Sequence, residues 1–132
     1  MAENRDFKIL VVDDSTTNVV LLEAILDEKG YHIETALNAK EASAIIEKDK
    51  PDLILLDLLM PKISGFEFLE ELRKDDKTKN TPVIVISALT DEENVERIMQ
   101  MGAIDYVKKP IDLQYLVNKV EAVLLDAHLE EQ

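Results

Sequence analysis

Five short apolar segments, each followed by a stretch with helical periodicity, limit what this chain can fold into more than any other feature. Runs of four or five β-branched or aliphatic residues are typical of parallel strands that are buried on both faces. Four of these segments lead directly into polar residues, whereas residues 31–36 alternate weakly and indicate an outer strand. The repeated βα pattern predicts an α/β fold of the flavodoxin-like class, a doubly wound (βα)5 parallel sheet with strand order 2-1-3-4-5.

Capping residues and apolar periodicity predict where the helices lie. The first helix should run from Thr16 to Lys29 and stop at Gly30, and Asn38 is the expected N-cap of the second. A later helix is predicted to open at Asp91. The side chains that recur at helical spacing, and that we expect to face the core, are Val19, Leu22, Ile25, Leu26, Phe68, Leu69, Leu72, Val95, Ile98, Met99, Leu113, Leu116, Val117, Val120, Val123 and Leu124.

Length and composition bound the class of protein. A chain of 132 residues that is 46% hydrophobic suits one domain, so we expect a single unit over residues 1–132, with residues 125–132 extending the last helix and then fraying. No segment approaches the roughly 20 apolar residues of a membrane span, and residues 1–6 are polar and lack the apolar core of a signal peptide, so the cytoplasm is the expected compartment. The absence of cysteine excludes disulfides and thiolate metal sites. A net charge of −13 argues against direct binding to nucleic acid.

Carboxylates follow two of the predicted strands that should be neighbours in the sheet. Asp13 and Asp14 follow the first strand, and Asp57 ends the third. Because the carboxyl ends of parallel strands share one edge of the sheet, the three side chains should converge. Like charges at short range raise a carboxylate pKa or require a cation, and hard oxygen ligands suit Mg²⁺. Taken alone, Asp13 and Asp14 are equally well explained as the acidic start of a helix.

A hydroxyl side chain ends the fourth apolar segment, and a lysine follows the fifth. Lys109 precedes Pro110, which restricts the preceding residue to an extended backbone from which its ammonium can reach a phosphoryl oxygen. Because side chains alternate along a strand, Lys108 should point to the opposite side from Lys109 and is better interpreted as a solvated lysine. Ser87 is either a turn residue or a donor to the same phosphoryl group. Tyr106 is either core or a residue that responds to the state of Ser87.

With these residues in this order, the chain resembles the receiver domains of two-component response regulators. The resemblance extends from Lys8 to Leu124 and depends on four motifs in a specific order. These motifs are Val11-Val12-Asp13-Asp14, Asp57-Leu58-Leu59-Met60-Pro61, Ser87-Ala88 and Tyr106-Val107-Lys108-Lys109-Pro110. The resemblance implies a signalling module in which Asp57 accepts a phosphoryl group from a phosphohistidine on a sensor histidine kinase or a histidine phosphotransfer protein.

The same resemblance implies roles for the surrounding residues. Mg²⁺ would be held by Asp14 directly, by Asp13 largely through water, by Asp57 and by the backbone carbonyl of Leu59. Lys109 would pair with the phosphoryl group. Ser87 and Tyr106 would form the switch that biases the face of the fourth helix, fifth strand and fifth helix toward an effector or a second copy. Receivers often have threonine where this chain has Ser87. Serine also carries a hydroxyl, so the donor group is kept.

Two alternatives remain open at this stage. A Mg²⁺-dependent phosphohydrolase with Asp57 as nucleophile would use similar chemistry, but haloacid-dehalogenase-like phosphatases place a second aspartate where this chain has Leu59. The chain also resembles receivers found as part of larger regulators, so it is either a stand-alone receiver or one unit of a longer protein.

Two leucines bear on how long a phosphorylated form would last. By resemblance, the residues that flank the path of an attacking water lie two positions beyond Asp57 and two beyond Ser87. Here they are Leu59 and Leu89, and neither can hydrogen-bond a water. Slow loss of the phosphoryl group is therefore predicted.

Overall fold

The described residues of the computed structural model, 6–58, 65–88 and 92–130 with side chains as far as Asp126, form five strands and five helices in alternation. The strands are β1 (Lys8–Val12), β2 (His32–Ala36), β3 (Leu53–Asp57), β4 (Val83–Ser87) and β5 (Asp105–Lys108). The helices are α1 (Thr16–Glu28), α2 (Ala39–Lys48), α3 (Gly65–Lys74), α4 (Glu92–Gln100) and α5 (Leu113–Glu130). All the strands pair in parallel, in the order β2-β1-β3-β4-β5, which confirms the predicted fold class and topology.

The sheet separates two hydrophobic clusters, one on each face. Because successive side chains of a strand point to opposite faces, alternate residues of the central strands enter different clusters. Leu10, Val12 and Leu56 pack on the side of α2 and α3. Ile9 and Val11 pack on the side of α1 and α5. Every residue of β3 and β4 is buried, as expected for strands covered on both faces.

Local hydrogen bonds define the helix ends near the predicted positions. Ser15 caps α1, since its hydroxyl accepts the backbone N–H of Asn18 at 3.3 Å. Asn38 caps α2 in the predicted way by accepting the N–H of Glu41 at 2.9 Å. After α1, Gly30 has a φ of +93°, a conformation that glycine adopts without a steric penalty. The helix therefore stops where the sequence predicts.

Helix α4 departs from its predicted pattern. Ile98 is fully buried, but Met99 is 43% exposed, so the prediction that Met99 faces the core is wrong. Successive residues of an α-helix lie about 100° apart around its axis. Because only a narrow stripe of α4 is buried, the residue after Ile98 faces solvent. The predicted start of this helix at Asp91 lies outside the described residues, and so do the last two residues of the predicted tail.

One arginine holds together the edge of the sheet opposite to the carboxyl ends of the strands. The Arg73 guanidinium donates to the backbone carbonyls of Thr78, Thr81 and Gly102 at distances of 3.0, 2.8 and 2.9 Å. Partial burial of this group lowers its pKa from the ordinary value. Arg73 thereby joins the segment before β4 to the turn before β5.

Among the described residues, no helix is long and apolar enough to cross a membrane.

Candidate functional site

Three carboxylates meet where β1 and β3 end. Val12 is paired with Leu56 in the sheet, so the residues that follow them, Asp13 and Asp57, lie side by side at the carboxyl edge of the sheet. Each of Asp13, Asp14 and Asp57 offers a carboxylate oxygen within 4.8 Å of the other two. Asp13 and Asp57 are only 2% exposed, whereas Asp14 is open to solvent. The structure thus brings together the aspartates that the sequence selected, in a pocket with one exposed side.

Asp13 is held by donors from the start of α1. One of its oxygens accepts the backbone N–H of Ser15 at 2.8 Å, and the other accepts the side-chain amide of Asn18 at 3.3 Å. Its own backbone N–H donates to the carbonyl of Ala36 on β2 at 3.1 Å. Sequence analysis missed Asn18, for which the available signal was an amide side chain near the predicted start of the first helix.

Lys109 is the cation nearest to these carboxylates among the described ion pairs. Its ammonium lies 3.3 Å from an oxygen of Asp57. The backbone N–H of Lys109 donates to the carbonyl of Ser87 at 2.9 Å, which anchors the segment after β5 to the end of β4. Lys108 is exposed, as strand alternation predicted. Lys109 therefore projects into the pocket while its neighbour faces solvent.

Ser87 and Tyr106 occupy neighbouring strands beside this pocket. Ser87 is fully buried at the end of β4, one residue beyond Ile86, which is paired with Asp57. Tyr106 is paired with Val85 and is half-buried against the cluster on the α2 and α3 side. The other residues to which sequence analysis gave a part in the site, Leu59 and Leu89, lie outside the described residues.

Helix α3 begins in direct contact with the strand that carries Asp57. The backbone N–H of Gly65 donates to the carbonyl of Leu58 at 2.8 Å. A Cβ on Gly65 would lie 2.4 Å from the Cα of Leu58 and 2.7 Å from the carbonyl oxygen of Asp57. Only glycine permits this approach. The sequence indicated that Gly65 shapes the entry into this helix, but not that its backbone meets the end of β3.

The charges of the pocket are unbalanced. In the part of the chain that the structure describes, three carboxylates lie beside one ammonium, a formal excess of two negative charges. Two of the carboxylates are buried, where repulsion between like charges is weakly screened. Every acidic donor here is a hard oxygen, and the exposed Asp14 leaves one side open for water or a ligand oxygen. Such a donor set fits a small divalent cation such as Mg²⁺.

The parallel sheet of order 2-1-3-4-5, with acidic groups at its carboxyl edge, defines a flavodoxin-like α/β domain with an anionic pocket that can hold a metal ion. Residues 9–121 match the family described as response regulator receiver domain, and the chain belongs to that family. Receiver domains are signalling modules of two-component response regulators.

Named relatives agree with this assignment. The chain is 36% identical to Protein PilH of Pseudomonas aeruginosa over 89% of this chain and 97% of PilH. It is 40% identical to Response regulator PleD of Caulobacter vibrioides over 88% of this chain but only 26% of PleD. The structure of the chemotaxis protein CheY4 of Vibrio cholerae superposes with a TM-score of 0.84 at 32% identity, covering 89% of this chain and 98% of CheY4. The family therefore includes proteins of about this length and much longer ones.

Proposed function

We propose that this chain is a phosphorylation-controlled receiver in which Asp57 accepts a phosphoryl group. The observation that carries the proposal is the placement of Asp57: a buried carboxylate at a strand end, 3.3 Å from the Lys109 ammonium and beside two further carboxylates. The donor would be a phosphohistidine of a sensor kinase or a histidine phosphotransfer protein, as membership of the family suggests.

The proposed reaction forms one bond and breaks another. A carboxylate oxygen of Asp57 attacks the phosphorus, the phosphorus–nitrogen bond of phosphohistidine breaks, and the imidazole leaves with the electron pair. Lys109 holds an oxygen of the transferred group by charge-assisted hydrogen bonds. A divalent cation, when bound, neutralises charge on the transferred oxygens. Asp13, Asp14 and Asp57 would hold it, with the Leu59 carbonyl as a further ligand by resemblance. The domain catalyses only its own phosphorylation and dephosphorylation.

Ser87 and Tyr106 are proposed as the switch. The added phosphoryl group carries new charge into a small pocket, and the Ser87 hydroxyl can donate to it. Tyr106 would then change its position against the core. The readout would be the face of α4, β5 and α5, where Met99 of α4 and Tyr115 of α5 are 43% and 46% exposed. Exposed apolar groups of this size suit binding to an effector or to a second copy of the chain.

The proposal is tested with the native protein and a small phosphodonor. Incubation with acetyl phosphate and Mg²⁺ should give a single phosphate adduct by intact-mass measurement, and peptide mapping should assign it to Asp57. Chelation of the divalent cation should suppress the reaction. No adduct, or an adduct mapped to another residue, would refute the proposal.

Mg²⁺ should stabilise the unphosphorylated domain. Binding to the native state alone adds about 2.7 kcal/mol to the free energy of unfolding when the free ion is in hundredfold excess over its Kd. The thermal midpoint should rise with millimolar Mg²⁺ and stay unchanged in sodium chloride of matched ionic strength. A midpoint that is indifferent to Mg²⁺ would count against the metal site.

Replacing Lys109 with alanine should separate phosphorylation from switching. Asp57 keeps its nucleophilic oxygen, so an adduct should still form, but the phosphoryl group loses the cation that holds it. Amide chemical shifts in β5 and α4 should then change less on phosphorylation than in the native protein. The exposed neighbour provides the matched control, because Lys108→Ala should respond as the native protein does. Equal responses in both variants would contradict the role of Lys109.

A further inference from the structure

The Asn18 side chain makes a contact that the proposed phosphotransfer does not require directly. Asn18 lies in the first turn of α1, where its backbone N–H donates to the Ser15 hydroxyl at 3.3 Å. Its side-chain amide donates separately to an oxygen of Asp13, also at 3.3 Å. The backbone contact caps the helix, and any residue can make it. The side-chain contact depends on the amide.

Two donors together fix the plane of the Asp13 carboxylate. The Ser15 N–H bonds one oxygen at 2.8 Å, and the Asn18 amide bonds the other. Rotation of the carboxylate would break both bonds, and the group is 2% exposed, so water has little access to replace them. Each carboxylate oxygen has two lone pairs, so both retain one for a cation or for a water bound to it.

The neutrality of the Asn18 donor also matters. A lysine or arginine at the same place could bond Asp13 but would cancel part of the charge that attracts a divalent cation. An amide fixes the carboxylate and leaves its negative charge intact. Groups that orient metal ligands in this way commonly change metal affinity by 10–100-fold when they are removed.

We propose that Asn18 is a positioning residue that fixes Asp13 for binding of a divalent cation. This inference depends on the proposed function, because it assumes that the three aspartates hold Mg²⁺. It adds a residue outside the carboxylate cluster and predicts that removing this residue weakens metal binding by more than any change in the stability of the metal-free domain can explain.

Isothermal titration of the metal-free protein with Mg²⁺ tests the proposal. Asn18→Ala should weaken Mg²⁺ binding about tenfold, at the lower end of the range for such groups. Thr17→Ala is the matched control, because Thr17 is the adjacent, exposed residue of the same helical turn. That variant should bind Mg²⁺ as the native protein does.

Stability without metal separates positioning from a purely structural role. Alanine is a better helix former than asparagine, and the capping bond to the backbone N–H of residue 18 remains. These features offset the lost bond to Asp13, so the metal-free Asn18→Ala variant should unfold at a urea concentration close to that of the native protein. Its preference for Mg²⁺ over Ca²⁺ should fall, since Mg²⁺ demands the stricter geometry.

The possible outcomes are distinguishable. Unchanged Mg²⁺ affinity in Asn18→Ala, with normal binding by the native protein, would overturn the role of Asn18 and leave the proposed function intact. A loss of metal-free stability that accounts for the loss of affinity would also overturn it, in favour of a structural role. No Mg²⁺ binding by the native protein would refute the proposed metal site and this inference with it.

Discussion

Replacing Asp57 with asparagine should abolish the phosphate adduct that acetyl phosphate forms with the native domain. The neutral amide has no carboxylate oxygen with which to attack phosphorus, and Lys109 loses the anion that lies 3.3 Å from its ammonium. Intact-mass measurement should find unmodified protein under conditions that label the native chain. Because the reaction depends on one nucleophile, the expected effect is complete loss.

The same variant should be more stable than the native protein when no divalent cation is present. Among the described residues, Asp57 lies beside two like charges, Asp13 and Asp14, as well as the Lys109 ammonium, so removing its charge relieves repulsion within the carboxylate cluster. We expect the free energy of unfolding to rise by about 1 kcal/mol, and the stabilisation by Mg²⁺ to become smaller. Urea unfolding with and without Mg²⁺ measures both quantities.

An exposed aspartate provides the control for Asp57. Asp126→Asn makes the same chemical change on the surface of α5 and should retain the adduct, the native stability and the native response to Mg²⁺. Labelling that persists in Asp57→Asn would move the nucleophile to another residue. A fall in metal-free stability would show that attraction to Lys109 outweighs repulsion in the carboxylate cluster.

Replacing Gly65 with alanine should cause the largest loss of stability that a single methyl group can produce near the site. The new Cβ would lie 2.4 Å from the Cα of Leu58 and 2.7 Å from the carbonyl oxygen of Asp57. These are backbone atoms, which cannot rotate away, so α3 or the end of β3 must move. We expect a loss of about 3 kcal/mol, the upper part of the range for overpacking, and a thermal midpoint lower by about 10 °C.

Gly102→Ala is the informative comparison for Gly65→Ala. Gly102 has a φ of +98°, and a Cβ there would meet the side chain of Arg73, with its Nε at 2.8 Å. The Arg73 side chain can shift slightly, whereas backbone atoms cannot, so the cost should be the left-handed backbone strain, about 1–2 kcal/mol, and a weakening of the bonds that Arg73 makes to the carbonyls of Thr78, Thr81 and Gly102. Thermal and urea unfolding should rank Gly65→Ala as the more damaging change, and it alone should slow adduct formation at Asp57. A reversed ranking would contradict the backbone-contact argument.

The positions of the three aspartates were predictable because they depend on local patterns and one topological rule. Buried parallel strands appear as continuous aliphatic runs, and the carboxyl ends of such strands share one edge of the sheet. With the strand order of the doubly wound fold, which places the first strand beside the third, these facts led us to expect Asp13, Asp14 and Asp57 together. The prediction for Met99 failed because periodicity locates an apolar stripe but not its width, which depends on what packs against the helix.

The sequence by itself therefore determined the succession of strands and helices, because apolar periodicity carries that information. The order of the strands, and with it the convergence of the aspartates, was predictable only through the doubly wound fold that this succession indicates. Tertiary structure decided the contacts that tune the pocket: the Lys109–Asp57 pair, the Asn18 amide on Asp13 and the approach of Gly65 to β3. Such contacts depend on distances of a few tenths of an ångström between side chains and backbone. Only the packing of helices against the sheet sets those distances.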